Sequence, residues 1–306
     1  MDFEATRSGL YEHVVAVPTT IWKGPGELDL DANAANARFL FAGGVTASVY
    51  AGGVGEHDKL SVEQQRDLLA AVAEVARGAG GQNAFGTGLG RTIDRVKELA
   101  PSLADIGVSW AMLMPPPVDG ADEQHAYYAE VIRILREHGV WPVLYPRPER
   151  PMPVAVLERL FDEFEIPGVK LANNGLVVSY AELVARLGHE RCAWLCGTAG
   201  WWMPAYYAAG AARGMSSGIV NAFPQLPQQV LGRILDGSFE RDTDYWTMVK
   251  IEQIRQRQPA NIPLVIKRMQ ELVGISGGMN ADGTTLDPDA AAEVDELMKQ
   301  SGWVNC

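Results

Sequence analysis

The sequence predicts a closed (β/α)8 barrel followed by a C-terminal helical extension. Eight short apolar runs recur between residues 14 and 223, and amphipathic segments with a helical spacing of apolar residues separate them. Runs that are apolar on both faces are typical of parallel strands buried by helices, and eight such units favour a closed barrel over an open sheet. After residue 224, the chain contains helical patterns only.

The candidate strands are short and rich in β-branched, aromatic and other apolar residues, which indicates buried strands. In chain order they are VVAVP (14–18), VTASVY (45–50), NAFGTG (83–88), SWAMLMPP (109–116), WPVLYP (141–146), GVKLA (168–172), CAWLCG (192–197) and MSSGIVNAF (215–223). Apolar residues spaced three and four apart predict helices between them, most clearly over 61–78, 92–107, 124–139 and 153–164. We therefore assign residues 1–224 to the barrel and residues 225–306 to the extension.

Composition limits the functional classes. The formal net charge of −12 disfavours nucleic acid and anionic membranes as partners, because both attract a basic surface. No apolar run approaches the roughly 20 residues of a membrane span. Cys192, Cys196 and Cys306 are too few and too unevenly placed for a disulfide framework, which favours a cytoplasmic location. The histidines form no motif typical of a metal site, so no metal is expected, and the Schiff-base chemistry considered below requires no organic cofactor.

Lys170 is the first candidate for chemistry because it ends the sixth candidate strand. Barrel enzymes place their active sites at the carboxyl ends of the strands. Burial there disfavours the ammonium form, and a neutral amine can attack a ketone or aldehyde to form a Schiff base. The alternative is a lysine that reaches solvent or pairs with a carboxylate. The other six of the seven lysines are expected at the surface.

Tyr145 ends the fifth candidate strand, so it is expected beside Lys170 at the barrel mouth. A phenol in that position can transfer protons to and from the reacting carbonyl; the alternative is a tyrosine of the core or rim. Two arginines follow in a proline-rich loop, and either could bind a carboxylate through a forked pair of hydrogen bonds. For Arg147 a solvated loop position is preferred, whereas Arg150 is retained as a substrate-binding candidate.

Segments that contain glycine end four of the candidate strands. The second strand runs into YAGGVGEH (50–57), where successive backbone N–H groups could converge on an anion. Neither this turn nor GTGLGRT (86–92) has the context of a dinucleotide or nucleotide-phosphate motif, so βα turns are the better interpretation. The ends of the seventh and eighth strands, which contain Gly197 and Ile219, could shape the mouth or bind a phosphate.

Taken in order, these motifs resemble the dihydrodipicolinate synthase / N-acetylneuraminate lyase superfamily over nearly the whole chain. The matching features are Gly-Gly-x-Gly-Glu after strand two, GTG after strand three, tyrosine after strand five and GVK after strand six. The resemblance implies a barrel with a helical tail, assembled as a homotetramer or dimer. It also implies that Lys170 forms a Schiff base with pyruvate or another 2-oxo acid and that Tyr145 is the proton shuttle. The turn that would cradle the substrate carboxylate is Gly52, Gly53, Val54, Gly55 and Glu56.

The sequence departs from that pattern in two places. Synthases of this superfamily have two threonines where this chain has Gly53 and Val54, so backbone N–H groups would have to hold the carboxylate. The segment MPPPVDG (114–120) also lacks the synthase tyrosine, which disfavours the lysine-biosynthetic reaction although Arg150 matches a carboxylate-binding arginine. The turn is similar instead to the Gly-Gly-Thr-Gly-Glu of the 5-dehydro-4-deoxyglucarate dehydratase branch.

The leading hypothesis is therefore a Schiff-base lyase that dehydrates a deoxy-oxo sugar acid, with or without decarboxylation. A second hypothesis is a pyruvate-dependent aldolase or a condensing enzyme; Trp201, Trp202 and Phe223, expected near the mouth, would suit an apolar aldehyde. A third, from a different class, is a barrel that binds its ligand without catalysis, since the threonine hydroxyls are missing.

Overall fold

The computed structural model describes residues 2–79, 84–147, 149–198 and 200–304. Asn83, Pro148, Ala199 and Cys306 lie outside the described residues. The strands in the described part are β1 (Val14–Ala16), β2 (Trp22–Gly24), β3 (Glu27–Leu28), β4 (Ala47–Tyr50), β5 (Ala84–Gly90), β6 (Trp110–Met114), β7 (Trp141–Leu144), β8 (Gly168–Leu171), β9 (Ala193–Cys196) and β10 (Gly214–Ser217).

The predicted barrel is confirmed. Strand β1 and strands β4 to β10 form a closed ring of parallel strands, in which β1 pairs with both β4 and β10. All residues of these eight strands are buried, which explains why each strand is an apolar run instead of an alternating pattern. The remaining two strands, β2 and β3, form a small antiparallel hairpin after β1 that the apolar-run pattern does not predict.

One helix precedes the barrel and one follows each of its strands. These helices are α1 (Phe3–Leu10), α2 (Leu30–Ala42), α3 (Val62–Gly78), α4 (Ile93–Ile106), α5 (Ala121–Glu137), α6 (Val154–Glu163), α7 (Val177–Leu187), α8 (Met203–Ala208) and α9 (Gln225–Asp236). Leu10 at the end of α1 lies 2.9 Å from where a Cβ on Gly168 would be. Because Gly168 begins β8, helix α1 covers the amino-terminal end of the barrel and leaves the opposite end for a site.

Three further helices form the C-terminal extension: α10 (Thr243–Gln256), α11 (Asn261–Leu272) and α12 (Pro288–Gln300). They pack on one another, and one hydrophobic cluster runs from the barrel into them, including Met248, Ile266 and Met298. Helix α9 packs on β1 and β10 and completes the eighth β/α unit. The division of the chain at residue 224 stays a prediction. Among the described residues, no helix is both long and apolar enough to cross a membrane.

Candidate active site

Lys170 lies in β8 at the carboxyl end of the barrel, with only 6% of its surface exposed. Burial lowers the pKa of the Lys170 amine from its ordinary value of 10.5, since water no longer stabilises the ammonium form. The positive charges of Arg147 and Arg255 lower the pKa further, while the interaction with Tyr145 opposes the shift. The site therefore shifts the Lys170 amine toward its neutral, nucleophilic form.

Tyr145 follows β7 directly and is buried. The pairing of Leu144 with Val169 in adjacent strands brings the next residue of each strand together at the mouth. Lys170 Nζ accordingly lies 4.2 Å from the centroid of the Tyr145 ring. The structure thus brings together the two residues that the sequence analysis selected for catalysis.

Gly197 supports the stem of Lys170 from the neighbouring strand. It follows β9, and its N–H donates to the carbonyl of Leu171 at 2.6 Å. A Cβ at Gly197 would lie 2.8 Å from Lys170 Cγ and 2.9 Å from the same carbonyl oxygen, closer than real Cβ contacts allow. Only glycine lets the two strand ends approach this closely, so the contribution of Gly197 is to position the lysine side chain.

The glycine turn after β4 presents its backbone to the mouth at one point. Gly53 is exposed, whereas Gly52, Val54 and Gly55 are buried. A Cβ at Gly55 would lie 2.9 Å from the Pro18 carbonyl, which fixes the tight path of the turn. The backbone N–H groups of Gly53, Val54 and Gly55 donate to no acceptor in the part of the chain that the structure describes. Such unused donors are what an anion requires.

Glu56, the last residue of the turn, points away from the mouth and into the extension. Its backbone is left-handed, with φ of 51°. The carboxylate accepts hydrogen bonds from Trp22 Nε1 at 3.0 Å, from the Ala281 N–H at 2.8 Å and from Lys267 Nζ at 2.5 Å. The conformation of the glycine turn is therefore tied to α11 through a buried ion pair.

The expectation that the six other lysines lie at the surface is wrong for Lys267, which is fully buried. Its helix carries buried residues at the helical spacing of Pro263, Ile266, Lys267 and Gln270. A lysine in the middle of such a buried stripe could have been predicted from the sequence to be buried and paired with a carboxylate, because burying an ammonium without a partner is costly.

The two arginines after Tyr145 occupy different environments. The Arg147 side chain is 22% exposed, and its Cζ lies 5.5 Å from the centroid of the Tyr145 ring. Its Nη1 is the atom nearest to where a Cβ on Gly53 would be, at 3.7 Å. Arg150, in contrast, is 39% exposed and lies at the rim, 3.3 Å from Asp119. The structure thus places Arg147, for which a solvated loop position was preferred, between the tyrosine and the glycine turn.

The remaining candidates lie in the segments that follow β9 and β10. Ile219 is fully buried in the short 3-10 helix after β10, where its N–H donates to Ser217 Oγ at 3.2 Å. Trp201 and Trp202 follow β9 and contact each other edge to face at 5.8 Å. Phe223 packs on Trp303 at 5.1 Å in a groove between α2 and α9, on the outer side of the barrel.

A parallel barrel with a desolvated lysine beside a tyrosine, at the carboxyl ends of neighbouring strands, has the architecture of a carbonyl-binding (β/α)8 enzyme. The model of the Dihydrodipicolinate synthetase family matches residues 11–300. The chain therefore belongs to that family, and it is a lyase of the dehydratase or aldolase type.

Individual relatives are distant but cover most of the chain. A probable 5-dehydro-4-deoxyglucarate dehydratase of Bacillus subtilis is 26% identical over 94% of this chain and 91% of its own length. A 4-hydroxy-tetrahydrodipicolinate synthase of Corynebacterium aurimucosum is 29% identical over 67% of this chain and 65% of its own. The crystal structure of a dihydrodipicolinate synthase from Oceanobacillus iheyensis superposes with a TM-score of 0.87 and 25% identity, covering 99% of this chain and all of the other.

Proposed function

We propose that this protein is a Schiff-base lyase that dehydrates a deoxy-oxo sugar acid, a small 2-oxo acid. The observation that carries the proposal is the buried Lys170 amine 4.2 Å from the Tyr145 ring. A neutral amine beside a phenol at the mouth of a barrel is equipped to form an imine and to move protons around it. The names of several relatives, including the one from Bacillus subtilis, support a dehydratase.

The reaction begins when the Lys170 amine attacks the 2-oxo carbon. The carbonyl oxygen leaves as water, and the protonated imine that remains acidifies the neighbouring carbon. That carbon gives up a proton to Tyr145, and the electron pair left on it expels a hydroxyl from the following carbon. Tyr145 passes the proton on to that hydroxyl, which leaves as water. Hydrolysis of the imine then frees Lys170 and consumes the first water, so the net change is the loss of one water from the substrate.

An aldolase that releases pyruvate is the second candidate. The edge-to-face pair of Trp201 and Trp202 after β9 favours it, because paired indoles offer an apolar surface to an aldehyde. Both reactions share the imine at Lys170, and they differ in the bond that breaks next. Homotetrameric or dimeric assembly and a cytoplasmic location stay predictions; light scattering after size-exclusion chromatography would determine the assembly.

The proposal is tested by trapping the imine. The full chain is incubated with pyruvate or a deoxy-oxo sugar acid, reduced with borohydride and analysed by peptide mass spectrometry. We expect the adduct on the peptide that contains Lys170, and its loss in Lys170→Met. Lys59→Met, which removes an exposed lysine after the glycine turn, is the matched control and should leave the adduct unchanged.

Product analysis separates the candidate reactions. Dehydration leaves a product that is one water lighter than the sugar acid, with a further loss of carbon dioxide if decarboxylation follows. Retro-aldol cleavage gives pyruvate and an aldehyde instead. A parent protein that forms no adduct with any 2-oxo acid, and a Lys170→Met variant that binds ligand as well as the parent, would support the non-catalytic barrel and overturn the proposal.

A further inference from the structure

We infer that Arg147 binds the substrate carboxylate next to the imine carbon and so determines the preference of this site for 2-oxo acids over neutral ketones. The inference rests on the proposed Schiff-base function. It concerns the turn of Gly53 and Val54, which has no side-chain hydroxyl to hold an anion.

The position of the guanidinium is the first argument. Lys170 Nζ lies 4.2 Å from the Tyr145 ring centroid, and Arg147 Cζ lies 5.5 Å from the same centroid. Nη1 of Arg147 approaches the point where a side chain on Gly53 would begin, at 3.7 Å. Tyr145 is therefore flanked by the amine that would bind the 2-oxo carbon and by a cation that lies over the glycine turn.

The hydrogen bonds of Arg147 are the second argument. Glu149 accepts from Nε at 3.1 Å and from Nη2 at 2.8 Å, which fixes the plane of the guanidinium. Nη1 donates to none of the described residues. A guanidinium carries five N–H donors, so the edge formed by Nη1 and Nη2 still has donors for a forked pair with a carboxylate.

The backbone of the turn completes the anion site. Gly53 is exposed to the mouth, and its N–H and those of Val54 and Gly55 have no acceptor among the described residues. A carboxylate at this point could therefore accept from the backbone on one side and from Arg147 on the other. A Cβ at Gly53 would lie 3.7 Å from Arg147 Nη1, an ordinary contact distance, so the guanidinium lies beside the position where a hydroxyl-bearing side chain would begin.

Imine trapping with a charged and a neutral ketone tests this inference. Pyruvate and hydroxyacetone are each titrated in the presence of borohydride, and the adduct at Lys170 is quantified by mass spectrometry. In Arg147→Met we expect the half-saturating pyruvate concentration to rise about 10- to 100-fold, the effect of losing hydrogen bonds to a charged group. With each protein measured on the plateau of its own pH profile, the half-saturating hydroxyacetone concentration should stay within about twofold, because that ketone has no carboxylate.

Two matched variants define the outcome. Arg147→Lys keeps the positive charge but cannot form the forked pair of hydrogen bonds. Its half-saturating pyruvate concentration should lie between those of the parent and Arg147→Met. Arg150→Met tests the rim arginine paired with Asp119, which is the other carboxylate-binding candidate, and should raise the half-saturating pyruvate concentration less than Arg147→Met does. Thermal unfolding of each variant, monitored by circular dichroism, verifies that the barrel is intact.

Three results would overturn the inference. Unchanged pyruvate saturation in Arg147→Met, an equal loss for both ketones in a folded variant, or a larger effect from Arg150→Met would each show that Arg147 does not select the carboxylate. A parent chain that forms no Lys170 adduct with either ketone would overturn the Schiff-base function itself, so the two failures are distinguishable.

Discussion

Glu56 Oε2 lies 2.5 Å from Lys267 Nζ, and this ion pair joins the glycine turn of the barrel to α11 of the extension. Both residues are buried, and Trp22 and Ala281 satisfy further acceptor positions of the carboxylate. The extension therefore helps to fix the turn that faces the candidate active site. Since the pair is buried and hydrogen-bonded, each of its residues depends on the other far more than the residues of a surface pair do.

Lys267→Met should destabilise the protein by about 3–5 kcal/mol, because it leaves the Glu56 carboxylate buried without its cation. Glu56→Gln should also destabilise the protein, because it leaves the Lys267 ammonium buried without its carboxylate partner. The double variant should lose less free energy of unfolding than the two single variants lose together, since no uncompensated charge remains. Chemical denaturation followed by circular dichroism measures all three free energies of unfolding.

Lys23→Met is the matched control for that cycle. Lys23 pairs with Glu27 at 3.1 Å, but the two side chains are 54% and 63% exposed. Its removal should change the free energy of unfolding by no more than about 1 kcal/mol. Additive losses in the Glu56 and Lys267 double variant would show that the buried pair is not coupled in the way its geometry indicates.

The barrel, its eight strands and the pair of Lys170 with Tyr145 could be predicted because local patterns encode them. Apolar runs give the strands, and a charged residue at the end of such a run is visible in the sequence. The roles of Arg147 and Lys267 could not be assigned in this way. Each depends on a partner brought close by the tertiary fold: Gly53 is 94 positions before Arg147, and Glu56 is 211 positions before Lys267.

The β2–β3 hairpin illustrates a second limit. Trp22 is buried and its indole donates to Glu56, so this short strand is held by tertiary contacts and not by an apolar run. Helix α2 likewise has apolar and small residues on several faces, with Asn33 and Asn36 buried among them. Their hydrogen bonds to Ile21 and Asn221 compensate the burial, and neither partner is apparent from spacing.

Gly197→Ala should displace Lys170, because the new methyl would lie 2.8 Å from Lys170 Cγ and 2.9 Å from the Leu171 carbonyl. The Leu171 carbonyl belongs to the backbone and cannot move away as a flexible side chain can. We therefore expect reduced imine trapping at Lys170 together with a loss of stability. Gly232→Ala is the control: Gly232 lies in α9, no atom beyond the backbone of its own helix lies within 4 Å of the new methyl, and the change should leave trapping unaffected. Equal trapping in both variants would contradict the positioning role of Gly197.

Tyr145→Phe should separate imine formation from turnover. The ring remains against Lys170 while the hydroxyl that moves protons is lost. We expect borohydride trapping with pyruvate to persist and the rate of product formation to fall by about 10²- to 10⁴-fold, the usual contribution of a general acid or base. If the variant turns over like the parent, the proton shuttle must be assigned to another group.

The pH dependence of Lys170 reports the charges around it. Burial and the positive charges of Arg147 and Arg255 lower the pKa of the amine below its ordinary 10.5, so the nucleophilic neutral form becomes populated at lower pH than in a free lysine. Removing the charge in Arg147→Met should raise the Lys170 pKa and move the rise in trapping rate to higher pH, whereas Arg147→Lys should retain the profile of the parent. Trapping of hydroxyacetone by cyanoborohydride across a pH series measures this shift without involving carboxylate binding. Superimposed profiles for the parent and Arg147→Met would mean that the guanidinium does not act on the amine, and a shift to lower pH would contradict the sign of the interaction.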